Sequence, residues 1–289
     1  MSGRRVEIAG ADGNRLVGDL HGASGRPALL LHGGGQTRHA WSATGKRLAE
    51  RGLRAWSIDQ RGHGDSDWIP GGAYAFADFG RDVIAVSDAI AAEAGRRPIA
   101  IGASLGGLAS MLAEGRLRPG TLSGLVLVDV TPRLDRGGVE RIISFMSDRM
   151  HEGFATVEEA ADAIAGYLPH RKRPDNLDGL SKNLRLHEDG RYRWHWDPAF
   201  ISARAHDDRT PADIEGELIA AAAALKLPVL LVRGARSELV TDAHVEEFLE
   251  LVPHASHADV KGAGHMVAGD RNDAFADEVL GFLERMEAA

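Results

Sequence analysis

Cysteine is absent from this 289-residue chain. That excludes a disulfide framework, a thiolate nucleophile and thiolate metal sites, and it suits a cytoplasmic protein. Long apolar runs are missing too. The longest candidate, Ile214 to Val232, is broken by Glu215, Glu217, Lys226 and Pro228, well short of the roughly 18 apolar residues of a membrane span. There is no excess of positive charge: the formal charge is −8 and the pI about 5.9. A nucleic-acid partner would call for a basic face. The amino terminus turns acidic at Glu7 before any long apolar run, so no signal peptide is expected. Internal repeats and low-complexity tracts are also lacking.

What is there is an ordinary globular composition, 44% hydrophobic and 26% charged. A chain of this length buries roughly 75% of its unfolded surface, enough for one large domain with an insertion. Two short strands are expected at Val6–Ala9 and Arg15–Leu20, joined through Asp12-Gly13. Buried-type runs follow at Ala28–Leu31, Leu53–Ile58, Pro98–Ile101, Leu125–Val128, Val229–Val232 and His257–Val260. Helical patterns lie between several of them, at Ala77–Ala94, Ala243–Leu251 and Ala274–Met286. Alternation of this kind predicts an α/β fold, a mostly parallel doubly wound sheet covered on both faces, with ligands beyond the carboxyl ends of the strands. From Thr131 to about Ala224 the alternation stops. Amphipathic stretches at Val139–Met150 and Val157–Tyr167, a basic loop at Pro169–Pro174 and an aromatic cluster from Tyr192 to Phe200 replace it. The expected organisation is therefore a core of residues 1–130 and 225–289, with residues 131–224 inserted after the sixth strand as a helical cap.

Three segments carry chemistry. Gly102-Ala103-Ser104-Leu105-Gly106-Gly107 is Gly-x-Ser-x-Gly at a strand-to-helix turn, the elbow that lifts a serine nucleophile clear of the sheet. His32-Gly33-Gly34-Gly35 ends another strand. Glycines there let amide hydrogens approach a ligand, and the Gly34 and Leu105 amides are the expected oxyanion donors. Neither glycine cluster gives a P-loop or Gly-x-Gly-x-x-Gly, so a nucleotide site is poorly supported. His265, past the last strand and before the last helix, stands where the Ser…acid…His chain order puts the base. Most other histidines, such as His151, His187 and His206, read as surface or cap residues. His254 and His257 lack a third partner for zinc, and no metal is expected.

The acid has two candidates. Glu238 lies on the loop after Val229–Val232, from which a carboxylate can reach His265; it is favoured. Asp129, at the carboxyl end of Leu125–Val128, is the alternative, because a charge at the end of a buried strand is costly unless paired. The Asp59–Asp67 loop reads as support, with Asp59 and Arg61 as a local ion pair. Trp194, Trp196 and Phe200 are candidates to line a substrate pocket, with simple packing of the cap as the other reading.

Together, His-Gly-Gly-Gly at 32–35, Asp-Gln-Arg-Gly-His-Gly at 59–64, Gly-Ala-Ser-Leu-Gly-Gly at 102–107 and Gly-Ala-Gly-His at 262–265 resemble the α/β-hydrolase superfamily. Within it the chain is similar to the small bacterial esterase and cofactor-free haloperoxidase-like group. The resemblance implies the α/β-hydrolase fold and a serine esterase with a catalytic triad and an oxyanion hole. It implies no cofactor and a small-molecule substrate. Serine at 104 departs from the branches whose nucleophile is aspartate, and Glu238 departs from the aspartate usual on its loop. Two other readings follow from the same frame: a carbon–carbon bond hydrolase or perhydrolase, and a non-catalytic receptor for a small ligand.

Overall fold

The computed structural model describes residues 3–168, 173, 176–202, 209–267 and 272–288. Of the basic loop at 169–174 only Arg173 is among them, and His206 lies outside them. The strands are β1 (Arg4–Ala9), β2 (Arg15–His21), β3 (Arg26–Leu31), β4 (Leu53–Ile58), β5 (Ile99–Ala103), β6 (Gly124–Val128), β7 (Leu184–Leu186), β8 (Tyr192–Trp194), β9 (Val229–Gly234) and β10 (Ser256–Val260). Eight of them form one sheet in the order β1-β2-β4-β3-β5-β6-β9-β10. The β1–β2 and β2–β4 pairs are antiparallel. Every pair from β4 across to β10 is parallel.

The helices are α1 (Ser42–Glu50), α2 (Phe76–Ala94), α3 (Leu105–Leu112), α4 (Arg136–Ser147), α5 (Val157–Tyr167), α6 (Asp178–Ser181), α7 (Ala199–Ser202), α8 (Pro211–Ala223), α9 (Asp242–Leu251) and α10 (Asn272–Ala288). Successive strand residues point to opposite faces, and the central strands accordingly serve two apolar cores. Leu29, Leu31, Leu125, Leu127 and Leu231 pack with α2, α3 and α9. Ala28, Leu30, Ile99, Ile101, Val126, Val128, Leu230 and Val232 pack with Leu48 of α1 and Phe275, Val279 and Leu283 of α10. Burial on both faces is what makes these runs continuously apolar rather than alternating. None of the helices among the described residues is long and apolar enough to cross a membrane.

Between β6 and β9 the chain leaves the sheet. The antiparallel pair β7–β8 stands apart from it, and Phe154 pairs with Tyr192 to extend that ribbon. Trp194 sits between Phe145 and Phe154, with ring centroids 5.9 and 5.2 Å away. Helix α8, which the sequence boundary puts in the insertion, packs instead on the core. Thr210 caps it, Asp213 reciprocates, and Pro211 opens its first turn. Its Leu218, Ala221 and Ala222 join the cluster that holds Leu108 and Met111 of α3.

Candidate active site

Ser104 occupies a backbone conformation that an L-residue pays for, φ 45° and ψ −111°, between β5 and α3. Such positions cost on the order of 1–3 kcal/mol and persist only where surrounding structure enforces them. Enforcement comes from contact on both sides. A Cβ at Gly102 would lie 2.4 Å from the Gly106 carbonyl carbon, and one at Gly106 would lie 2.5 Å from the Leu31 carbonyl oxygen. The elbow can close this tightly only with glycine at both positions.

Adjacent strands deliver a carboxylate to the same edge. The ladder pairs Ala103 with Val128 and Val128 with Val232, so β5 and β6 end level and β9 runs two residues further, to Gly234. Asp129, the next residue after β6, turns out of the ladder at φ 52° while its amide still donates to the Val232 carbonyl at 2.8 Å. Aspartate is among the few residues that tolerate this left-handed region. Its carboxylate is fully buried and meets His265 Nδ1 at 2.7 Å. The Gly234 amide donates to Asp129 Oδ1 at 2.9 Å and the Ser237 hydroxyl to Oδ2 at 2.6 Å.

Glu238, the favoured acid in the sequence, is elsewhere. Its side chain is more than half exposed and forms an ion pair with Arg141 of α4 at 2.8 Å. The reason is local: the Ser237 side chain points inward to Asp129, and the following residue points outward. The carboxylate beside His265 is Asp129.

The glycine loop is held by two buried histidines. His32 Nδ1 donates to the Gly33 carbonyl at 2.8 Å and Nε2 accepts the Gln60 amide at 3.1 Å. His63 Nδ1 donates to the Arg61 carbonyl at 2.9 Å and Nε2 accepts the Gly35 amide at 3.1 Å. Both rings therefore carry their proton on Nδ1 and are neutral. Burial lowers the His32 pKa to about 4; burial, reinforced by His32, lowers that of His63 to about 3. The Gly33 amide donates to Gln36 Oε1 at 3.0 Å. With the Gly33 and Gly35 amides engaged, the Gly34 amide between them has no partner among the described residues. Leu105 opens α3, and the first amides of a helix have no carbonyl of their own to bond. A Cβ at Gly33 would lie 3.5 Å from the Ser104 Cβ, so the loop and the serine are neighbours.

These histidines predict an acid-sensitive fold. In the unfolded chain an imidazole takes up its proton near pH 6.5, whereas in the folded protein His32 and His63 do so only near 4 and 3. The unfolded state binds more protons between those limits, so stability is full above about pH 6.5 and falls as pH drops below it. Each histidine contributes a slope of up to roughly 1.4 kcal/mol per pH unit. Urea midpoints measured between about pH 6.5 and 5.5, above most carboxylate titration, should fall more steeply for the wild type than for His63→Gln. Equal slopes would remove His63 from this account.

Met146, Trp196 and Phe200, from the segment between β6 and β9, roof the glycine loop. A Cβ at Gly34 would lie 3.3 Å from the Phe200 ring, and one at Gly35 would lie 2.9 Å from Met146 Cε and 3.7 Å from Trp196 Nε1. Phe200 is clamped edge-on by His63, Phe79 and Tyr74. The segment before it is stitched to the core: the Gly64 amide donates to the His195 carbonyl, the Asp197 amide to the Gly62 carbonyl, and the Tyr74 hydroxyl to Asp197 at 2.6 Å. Trp196 and Phe200 are thus brought to the site. Trp194 faces the interior of the insertion instead.

The expected Asp59–Arg61 pair does not form. Asp59 accepts from the Arg38 guanidinium and the Arg38 and Asp65 amides. Arg61 is fully buried and makes two 2.7 Å hydrogen bonds to Asp82 of α2, with Asp12 2.9 Å away. A turn closed by the His63 amide on the Gln60 carbonyl carries Arg61 to the opposite side from Asp59. No group of side chains among the described residues could hold a metal ion. His254 bonds the Leu227 carbonyl and His257 bonds Asp259.

Residues 28–278 match the model of the alpha/beta hydrolase family. The chain belongs to that family. An esterase of Mycobacterium tuberculosis is 29% identical over 272 residues, 91% of this chain and 84% of that protein. A non-heme haloperoxidase of Rhodococcus erythropolis is 25% identical, covering 96% of this chain and 98% of its own. The crystal structure of an E-2-(acetamidomethylene)succinate hydrolase superposes with a TM-score of 0.81 over 98% of this chain and 99% of that one; at 22% identity this likeness speaks to the fold alone. The protein is an α/β-hydrolase enzyme, similar to the small bacterial esterase group. Its site also holds residues that the sequence did not single out. Ser237 and Gly234 on Asp129, and Gln36 on Gly33, carry no signature of their own. His63 stood in a motif read only as support.

Proposed function

We propose that this hydrolase cleaves carboxylic esters of small molecules through an acyl-enzyme on Ser104, with His265 as base and Asp129 as the acid. The observation that carries the reading is the 2.7 Å contact of His265 Nδ1 with a fully buried Asp129, on strand ends level with a serine in a strained elbow. With Nδ1–H donated to the carboxylate, Nε2 is left as the acceptor for the Ser104 proton. The serine attacks the ester carbonyl, and the oxyanion takes hydrogen bonds from the Gly34 and Leu105 amides. One such donor is worth on the order of 10²–10³ in rate. His265 then protonates the departing alcohol, and the same histidine activates the water that releases the acid.

In this reading the described residues from Thr131 to Ser202 act as a cap, with α8 left to the core, and Trp196 and Phe200 are its substrate-facing side chains. Trp194 belongs to the interior packing of the cap. The chemistry needs neither metal nor cofactor. The resemblance to a mycobacterial esterase supports ester cleavage. The strain stored at Ser104 and the pairing of Asp129 with His265 count against a receptor that has abandoned catalysis.

Fluorophosphonate labelling followed by peptide mapping tests the proposal. The label should appear on the peptide containing Ser104 and vanish in Ser104→Ala, while a panel of short- and long-acyl esters reports turnover. A folded wild-type protein that takes no label at Ser104 would overturn it.

A further inference from the structure

Asp129 is held by more than its histidine. A carboxylate offers about four acceptor sites, and here donors occupy three of them in a defined pattern. The Gly234 amide takes Oδ1, while Ser237 Oγ and His265 Nδ1 share Oδ2 at 2.6 and 2.7 Å. The direction of the Ser237 hydroxyl is fixed as well. Its oxygen accepts the Leu239 amide at 3.1 Å and the Val240 amide at 3.0 Å, so its single proton is left for Asp129. Among the described residues no other charged side chain bonds Asp129, and Glu238 on the same loop is turned to Arg141.

The loop that carries Ser237 is gripped from the other side by α4. The Asp135 amide donates to the Leu239 carbonyl at 2.9 Å, and the Asp135 carboxylate caps α4 through the Gly138 amide at 2.8 Å. Gly138 presses so close that a Cβ there would stand 2.5 Å from the Glu238 carbonyl oxygen. The order of contact is α4, loop 238–240, Ser237, Asp129, His265.

We infer that Ser237 is a positioning residue for the acid of the triad, setting the rotation of the Asp129 carboxylate that orients His265. The inference rests on the Ser104–His265–Asp129 reading. Removing the hydroxyl leaves Oδ2 with one donor and lets the carboxylate rotate. It also removes a hydrogen bond that shares the carboxylate's charge, leaving more of that charge facing His265 Nδ1–H.

Ser237→Ala should lower kcat on a short-acyl ester, and the rate of fluorophosphonate labelling at Ser104, by about 10-fold, the scale of one charge-assisted hydrogen bond. KM should hold, and the acidic limb of kcat/KM should move up. Ser237→Thr, which keeps the hydroxyl, should restore both, and Ser237→Cys, of similar shape but a weak donor, should fall with alanine. An alanine or cysteine variant with wild-type labelling and an unmoved limb would overturn the inference, as would a loss confined to KM. If the wild type itself is not labelled at Ser104, it is the triad reading that fails.

Discussion

Asp129→Asn is expected to lower kcat by about 10⁴, with KM little changed, while Glu238→Gln leaves kcat within roughly twofold of wild type. The asparagine keeps the shape and volume of the side chain. It can still accept the Gly234 amide, which now bonds Oδ1 at 2.9 Å. Its amide nitrogen then faces His265 Nδ1 and the Ser237 hydroxyl, two groups that both offer protons. His265 must give up the Nδ1–H tautomer to accept there, and Nε2 becomes a donor instead of an acceptor. The serine loses its base while the protein keeps its fold. Glu238 offers a clean contrast, because its exposed pair with Arg141 is of the kind worth about 0–1 kcal/mol. Steady-state rates on one ester, with thermal unfolding to show that both variants are folded, decide between the carboxylates. A large loss in Glu238→Gln with a mild one in Asp129→Asn would reverse the assignment.

That contrast also marks where the sequence was legible. Continuous apolar runs flanked by glycine or proline located the central strands to within a residue or two; Leu53–Ile58 and Leu125–Val128, for instance, lie within β4 and β6. Burial on both faces leaves a signature that needs no partner to be read. The turn at Ser104 was legible because a tight elbow demands glycines, and the loop of His265 because it follows the last strand and precedes the last helix. The carboxylate beside His265 was not, because its choice turns on which side of one loop consecutive residues face. Ser237 points in and Glu238 out, a difference of one position that composition cannot register. The sign that pointed to Asp129 as the partner of His265 was energetic: an aspartate at the end of a fully apolar strand had to be paired. Asp59 and Arg61 illustrate the same limit. Two residues apart and opposite in charge, they are separated by a turn that only the backbone reveals.

Arg61, freed from that expected pair, carries a large stability effect. Its guanidinium is fully buried, with two hydrogen bonds to an Asp82 carboxylate that is itself buried. Arg61→Leu should destabilise the fold by roughly 3–5 kcal/mol, because it strands the Asp82 charge rather than because the ion pair is itself a strong net contributor. Asp82 keeps the Ala11 amide at 2.9 Å, too little to compensate a buried charge. The double variant Arg61→Leu/Asp82→Leu should therefore be more stable than Arg61→Leu alone, a reversal that additive losses cannot produce. Urea unfolding of wild type and both variants at one pH measures the initial loss and the recovery. If the double variant is less stable than Arg61→Leu by the full cost of a second substitution, the stranded Asp82 charge is not what destabilises the single variant. The consequences reach the site, since the carbonyl of Arg61 accepts His63 Nδ1 and His63 holds the Gly35 amide beside the Gly34 amide. Loss of Arg61 should consequently lower kcat in whatever fraction remains folded, by loosening the loop that presents the Gly34 amide.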